Sequence, residues 1–251
     1  MFINHPYFRL PIMIIGLFII WECSHIFLGI PDYLLPSPFS VFVAMKTNAV
    51  LLWNMSLVTF YETILGLIFG CILGMILALL MTMVPFIRQW FMPIILISQS
   101  IPTFALAPLL VLWFGFGIKS KIVMTIIMIF FPVTSAFFDG LNRTPQGWLD
   151  LGKTMNASPI RQLCFIRLPA ALPAFASGLR IATAIAPIGA VVGEWVGASS
   201  GLGFLMQTAN SRFQTDLMFA ALFILSVFTL SLWGLVTIIT KKLIPWADEA
   251  S

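Results

Sequence analysis

Six apolar stretches, each long enough to cross a lipid bilayer, leave this chain few ways to fold. Crossing the hydrocarbon takes about 20 predominantly apolar residues in a helix. Segments near Leu10–Leu28, Leu57–Val84, Pro93–Trp113, Lys121–Phe138, Pro173–Val196 and Leu217–Thr240 answer that requirement. In lipid the backbone must satisfy its own hydrogen bonds, so each becomes a helix. Composition agrees: only 9% of the 251 residues are charged and 60% are hydrophobic, against about a quarter charged in soluble domains. The prediction is an all-α polytopic membrane protein, a single domain over residues 1–251 with six transmembrane helices. The first segment lacks an A-x-A-type exit and is expected to stay as the first span.

Lysine and arginine gather on the cytoplasmic side of membrane proteins. With the N-terminus inside, Arg9, Arg88, Arg143, Lys153, Arg161, Arg167, Lys241 and Lys242 face the cytoplasm. Lys46, Lys119, Lys121 and Arg212 then lie outside, and Arg180 sits within the fifth segment, free to snorkel inward. That bias predicts both termini on the cytoplasmic side. The net charge of +4 is accounted for by orientation, since no dense basic run or nucleic-acid motif occurs.

Several segments carry more than apolar bulk. Ser37-Pro38 reads as cap and first turn of a helix, so residues 40–54 are expected to form either a short interfacial helix or a connecting loop. Gly66, Gly70 and Gly74 form a GxxxGxxxG face suited to close helix packing, within one chain or across a dimer. The third segment contains Pro102 and Pro108 with Gln99, Ser100 and Thr103, which makes a kinked, polar helix and a candidate pathway lining. Pro132 and Pro187 bend two further segments. Glu22 and His25 share a helix face and are read as a mutually satisfied pair, and Glu62 as exposed at the interface. Glu194, ahead of the turn GASSGLG, is a candidate for orienting a loop at the pathway mouth.

Chemistry is hard to build from these residues. No GxxxxGK[ST] phosphate loop, HExxH, GxSxG or CxxC occurs, and the histidines are His5 and His25 alone. Cys23, Cys71 and Cys164 have no metal-ligand spacing and read as unpaired thiols. Nothing assembles a nucleophile with a base, so no catalytic residue and no metal site is expected. The chain reads as a protein that moves something.

The longest polar passage between spans is DLGKTMNASPIRQLCFIRLP, Asp150 to Pro169. Asp150 supports the start of a short helix through Met155, and Asn156 tolerates the left-handed conformation that ends one. Ser158-Pro159 caps and starts a second helix, which Arg167-Leu168-Pro169 closes. The expected result is helix, tight turn, helix, with Asn156-Ala157-Ser158 at the corner.

This loop resembles the EAA loop of the permease subunits of binding-protein-dependent ABC importers, whose pattern is EAA, three residues, Gly, nine residues, I-x-L-P. Asp150-Leu151-Gly152 stand at EAA, Asn156 at the glycine and Ile166-Arg167-Leu168-Pro169 at I-x-L-P, with both spacings kept. Asp for Glu, Leu-Gly for Ala-Ala and Asn for Gly are departures. The likeness extends through LPSPFSVF, IPTFALAPLLVLWFGFGIKSKI, LPAALPAFASGLRIA and GEWVGASSGLGFL, and it points to the subgroup importing sulfonates, taurine, nitrate and pyrimidine precursors of thiamine.

The resemblance implies a type I ABC importer permease fold in a bacterial inner membrane. It implies a permease homodimer, two cytoplasmic ATPase subunits and an extracytoplasmic solute-binding protein as partners. ATP and magnesium are then bound by the ATPase, and this chain holds no cofactor. The ATPase-coupling residues would be Asp150, Leu151, Gly152, Lys153, Met155, Asn156, Ala157 and Ser158, while the pathway candidates, read from the polar residues of the spans themselves, are Gln99, Ser100, Thr103 and Glu194. FYETILGLIFG and GEWVGASSGLGFLMQTA look closest to permeases for a hydroxymethylpyrimidine-like thiamine precursor. Sulfonate, taurine or nitrate is the alternative cargo, and an ion-coupled secondary transporter the competing class.

Overall fold

The computed structural model describes residues 6–246, and the regular structure among them is entirely helical. In chain order the helices are α1 (Pro6–Leu28), α2 (Pro38–Thr47), α3 (Ala49–Met83), α4 (Pro85–Ser100), α5 (Ala107–Phe114), α6 (Ile118–Asn142), α7 (Gln146–Thr154), α8 (Pro159–Gln162), α9 (Leu168–Trp195), α10 (Leu202–Ser211) and α11 (Thr215–Leu243). Four spans are individually long and apolar enough to cross a membrane, and the broken pair α4–α5 makes a fifth. Helix α1 follows the predicted first segment, with Ile15–Phe27 as its described apolar stretch.

Local chemistry explains most boundaries. Ser37 Oγ accepts from the Ser40 N–H at 3.1 Å and Pro38 fills the first turn, so residues 38–47 form a helix rather than a loop. Helix α3 begins at Ala49, eight residues before the predicted Leu57, because nothing after Asn48 interrupts an apolar run that stays helical to Met83. The third predicted span is not one kinked helix from Pro93 to Trp113. The helix starts at Pro85 and stops at Ile101, which is extended ahead of Pro102, and a 3₁₀ turn over Thr103–Leu106 leads into α5. The clash between a proline ring and the preceding residue's helical conformation accounts for that break.

Three helices carry the centre. Gly66, Gly70 and Gly74 of α3 lie against Thr125, Ile129 and Val133 of α6, so the glycine face packs within the chain. On its other side α6 packs along α9, where Gly178 meets the Pro132 carbonyl and Gly189 the Cα of Thr125. One end of the bundle joins α2, the starts of α3 and α11, the last turns of α9, and α10, around Val41, Leu52, Leu202 and Leu217. The opposite end joins the last turns of α3 and α6 to the start of α9 around Met81, Leu141, Leu163 and Ala171. The loop of interest hangs from this second end.

The expected Glu22–His25 pair does not form. His25 Nδ1 donates to the Leu35 carbonyl at 3.0 Å, its Nε2 lies 3.5 Å from Asp32 Oδ1, and Trp21 Nε1 donates to Pro36 O at 3.0 Å. The imidazole therefore holds residues 32–36 against α1, work that same-face spacing does not reveal.

Candidate functional site

The helix–turn–helix expected over Asp150–Pro169 is present, with two corrections. Helix α7 begins at Gln146 rather than Asp150, because Pro145 provides the turn that starts it. Asp150 is thus mid-helix, paired with Lys153 at 2.9 Å on an exposed face. Arg167-Leu168-Pro169 does not close the second helix. Leu163–Arg167 winds as a π-helical turn, and helix runs without interruption from Pro159 into α9. Proline at the second position of α9 is carried because the wider turn ahead of it accommodates a residue that cannot donate.

The corner itself is as the residues predict. Asn156 takes φ +56°, and the Ala157 N–H returns to the Gly152 carbonyl at 2.9 Å, satisfying a carbonyl that the helix end leaves free. Ser158 Oγ accepts from the Arg161 N–H at 3.4 Å and Gln162 Nε2 donates to Ala157 O at 3.0 Å, tying corner to second helix. Gly152 is buried where an added Cβ would stand 2.8 Å from Ile166 Cδ1. The first helix is therefore keyed directly onto the π turn that leads into α9.

What the corner presents is apolar. Met155 and Phe165 are 75% and 79% exposed, and with Trp148, Leu151, Ile166 and Trp246 they surround an open hollow of about 650 Å³. Trp148, Phe165 and Trp246 were not among the residues expected from sequence. Trp148 and Phe165 carry a signal as large aromatic side chains in the passage between two spans, and Trp246 as one just past the last span. The Asp150–Lys153 pair beside them is exposed, and such pairs contribute about 0–1 kcal/mol. Lys153→Ala is accordingly expected to leave the thermal midpoint within about 2 °C of wild type in a melting experiment.

The pathway candidates fall in two places. Ser100 and Thr103 flank the break between α4 and α5, where Ser100 is exposed and its hydroxyl donates to Ile97 O at 2.7 Å. Gln99 belongs to the last turn of α4, and its side chain lies outside the described residues. Glu194 is elsewhere, fully buried at the end of α9. Its Oε1 accepts from Thr59 Oγ1 at 2.6 Å and its Oε2 from the Gly203 N–H at 2.5 Å, while Thr59 Oγ1 accepts from the Leu202 N–H at 2.7 Å. The carboxylate thus sits at the N-terminus of α10, where free N–H groups and the helix dipole favour negative charge.

Two neighbours of Glu194 depart from expectation. Glu62 is only 3% exposed rather than interfacial, because the neighbouring helices cover its face of α3. Lys121, expected at the outer surface, is 2% exposed and donates to the carbonyls of Phe116, Gly117 and Gly197 at 2.6, 3.1 and 3.2 Å. Among the described residues no group of histidines, cysteines and carboxylates is arranged to hold a metal.

Comparison with known proteins then places the chain. Residues 66–245 match the model of the family described as binding-protein-dependent transport system inner membrane component. A probable ABC transporter permease protein of Haemophilus influenzae is 56% identical over 224 residues, covering 89% of this chain and 91% of that one. A formylaminopyrimidine transport permease protein of Halalkalibacterium halodurans is 38% identical, covering 93% of each chain. A riboflavin transport system permease protein of Chloroflexus aurantiacus is 35% identical, covering 98% and 92%. Among solved structures, an amino acid ABC transporter chain superposes with TM-score 0.67 at 16% identity, covering 80% of this chain and 98% of that one. The chain therefore belongs to the inner membrane components of binding-protein-dependent transport systems, the permease subunits of ABC importers, and has the type I importer permease fold.

Proposed function

We propose that this permease is driven by a separate ATPase docked on residues 146–169, and that it carries a pyrimidine-type thiamine precursor inward. The observation that carries the first part is the exposed apolar hollow beside the Asn156 corner, on a loop that keeps the EAA spacing, in a chain without a phosphate loop. Apolar surface on a water-facing loop marks an interaction site. Asp150, Leu151, Lys153, Met155, Asn156, Ala157 and Ser158 form the coupling surface, buried Gly152 seats it on the π turn beneath, and the unbroken helix from Pro159 conveys its displacement into α9. One permease domain with six spans and both termini cytoplasmic fits the lysine and arginine bias. Two copies of the permease, two ATPase subunits binding ATP and magnesium, and an extracytoplasmic binding protein complete the importer. Solute passes along the broken α4–α5 region near Gln99, Ser100 and Thr103, while Glu194, the fourth pathway candidate, holds the start of α10 to α3 away from that break.

The cargo reading is supported by the relative named for formylaminopyrimidine transport. Uptake of labelled hydroxymethylpyrimidine by cells is expected to vanish when this chain is deleted and to return with a plasmid copy. Undiminished uptake in the deletion strain would sink the cargo reading. Restored growth on a sulfonate, taurine or nitrate, or riboflavin uptake that depends on the chain, would reassign the solute within the same mechanism.

A further inference from the structure

Glu62, Lys121 and Glu194 meet inside the bundle, from α3, α6 and α9, at the end that carries α2 and α10. Glu62 lies one turn of α3 from Thr59, which holds Glu194, and one turn from Gly66, which meets Thr125, itself one turn of α6 from Lys121; Gly193, beside Glu194, packs on Lys121, and all three charged side chains are buried. Glu62 Oε2 and the adjacent Thr63 Oγ1 find no partner among the described residues. Glu194, by contrast, uses both oxygens as acceptors, from the Thr59 hydroxyl and the Gly203 N–H. The Lys121 ammonium already directs its donors to three backbone carbonyls.

The charges do not balance as they stand. Two carboxylates against one ammonium leave a net negative charge within a membrane protein's interior, where an uncompensated charge is costly. Two carboxylates facing each other also offer four acceptors and no donor between them. A single proton resolves both problems, and the pattern of partners says where it sits. Glu194 accepts two hydrogen bonds and is the ion, whereas Glu62 has an oxygen free to carry a proton. We propose that Glu62 and Glu194 hold one proton between them, carried by Glu62 and donated to Glu194, so that the pair and Lys121 form an electroneutral lock joining α3, α6 and the α9–α10 turn.

The asymmetry makes the proposal testable on the purified permease in lipid nanodiscs, without its partners. Glutamine at position 62 keeps a donor and the shape of a neutral acid, so Glu62→Gln is expected to melt within about 2 °C of wild type. Glu194→Gln puts an amide where two donors converge and is expected to lower the apparent midpoint by roughly 5 °C or more at the same scan rate. Glu62→Ala, which removes the donor, should fall between them. The infrared spectrum of wild type should contain a protonated-carboxyl stretch that Glu62→Gln removes. Equal destabilisation by the two glutamine variants, or a wild-type spectrum from which Glu62→Gln removes no such band, overturns the proposal. So does a saturable stabilisation by sodium that Glu62→Gln abolishes, because the neutralising group is then a metal cation.

Discussion

A carboxylate placed at the corner between α7 and α8 is expected to separate ATP hydrolysis from uptake. Ala157 is half-buried in that corner, its N–H returned to Gly152 O and its carbonyl receiving Gln162 Nε2 at 3.0 Å. Its backbone is therefore fully engaged and its methyl is all that it offers to a partner. Ala157→Glu leaves those backbone bonds intact but carries a charge into an apolar contact flanked by Met155 and Leu151. One uncompensated charge in such a contact costs about 3 kcal/mol, which weakens docking on the order of a hundredfold. In proteoliposomes containing the permease, its ATPase and its binding protein, uptake should fall to background while the permease remains inserted and monodisperse. Asn156→Trp should behave similarly, because its bulk stands at the same exposed corner and its φ of +56° disfavours a large side chain. Normal ATP-driven uptake by both variants would remove the coupling role from this loop.

The second large effect is expected in the centre of the bundle. Gly178 of α9 faces α6 so closely that an added Cβ would lie 2.9 Å from the Pro132 carbonyl oxygen and 2.5 Å from Ala136 Cβ. A flexible side chain can move aside, but here the obstacle is the backbone of a 25-residue helix. Gly178→Leu must therefore push the two helices apart, losing contacts along their length. Overpacking of this kind costs about 3 kcal/mol at the upper end of its usual range, a large share of a typical folding free energy. The variant is expected to accumulate poorly and to melt well below wild type by light-scattering-monitored unfolding. Gly234 of α11 has nothing within 4 Å of an added Cβ, so Gly234→Ala serves as the control and should melt like wild type. Equal midpoints for Gly178→Leu and wild type would mean that α6 and α9 are not packed as described.

Most of the spans and the corner are legible because local rules govern both, whereas the third span is divided by the break at Ile101–Pro102. Apolar length decides a membrane helix, and Ser37, Asn156 and Ser158 act on neighbours one turn away. The glycine face of α3 was legible as a packing surface, though its partner on α6 was not. What escaped were decisions made by distant residues. His25 reads as a partner for Glu22 until residues 32–36 fold back over α1. Glu62 reads as interfacial until α6 and α9 cover it, and Lys121 reads as an outer charge although it closes three backbone carbonyls. The π turn at Leu163–Arg167 was missed because Pro169 signals an end to helix unless a wider turn precedes it.

We propose that this chain is moved by a separate motor attached at residues 146–169. The most direct test purifies the tagged permease from its native membrane and assays what comes with it and what drives transport. A co-purifying ATPase is expected, retained by wild type, lost with Ala157→Glu, and required for uptake in proteoliposomes supplied with ATP. Transport by the permease alone, driven by an ion gradient and indifferent to Ala157→Glu, would contradict it.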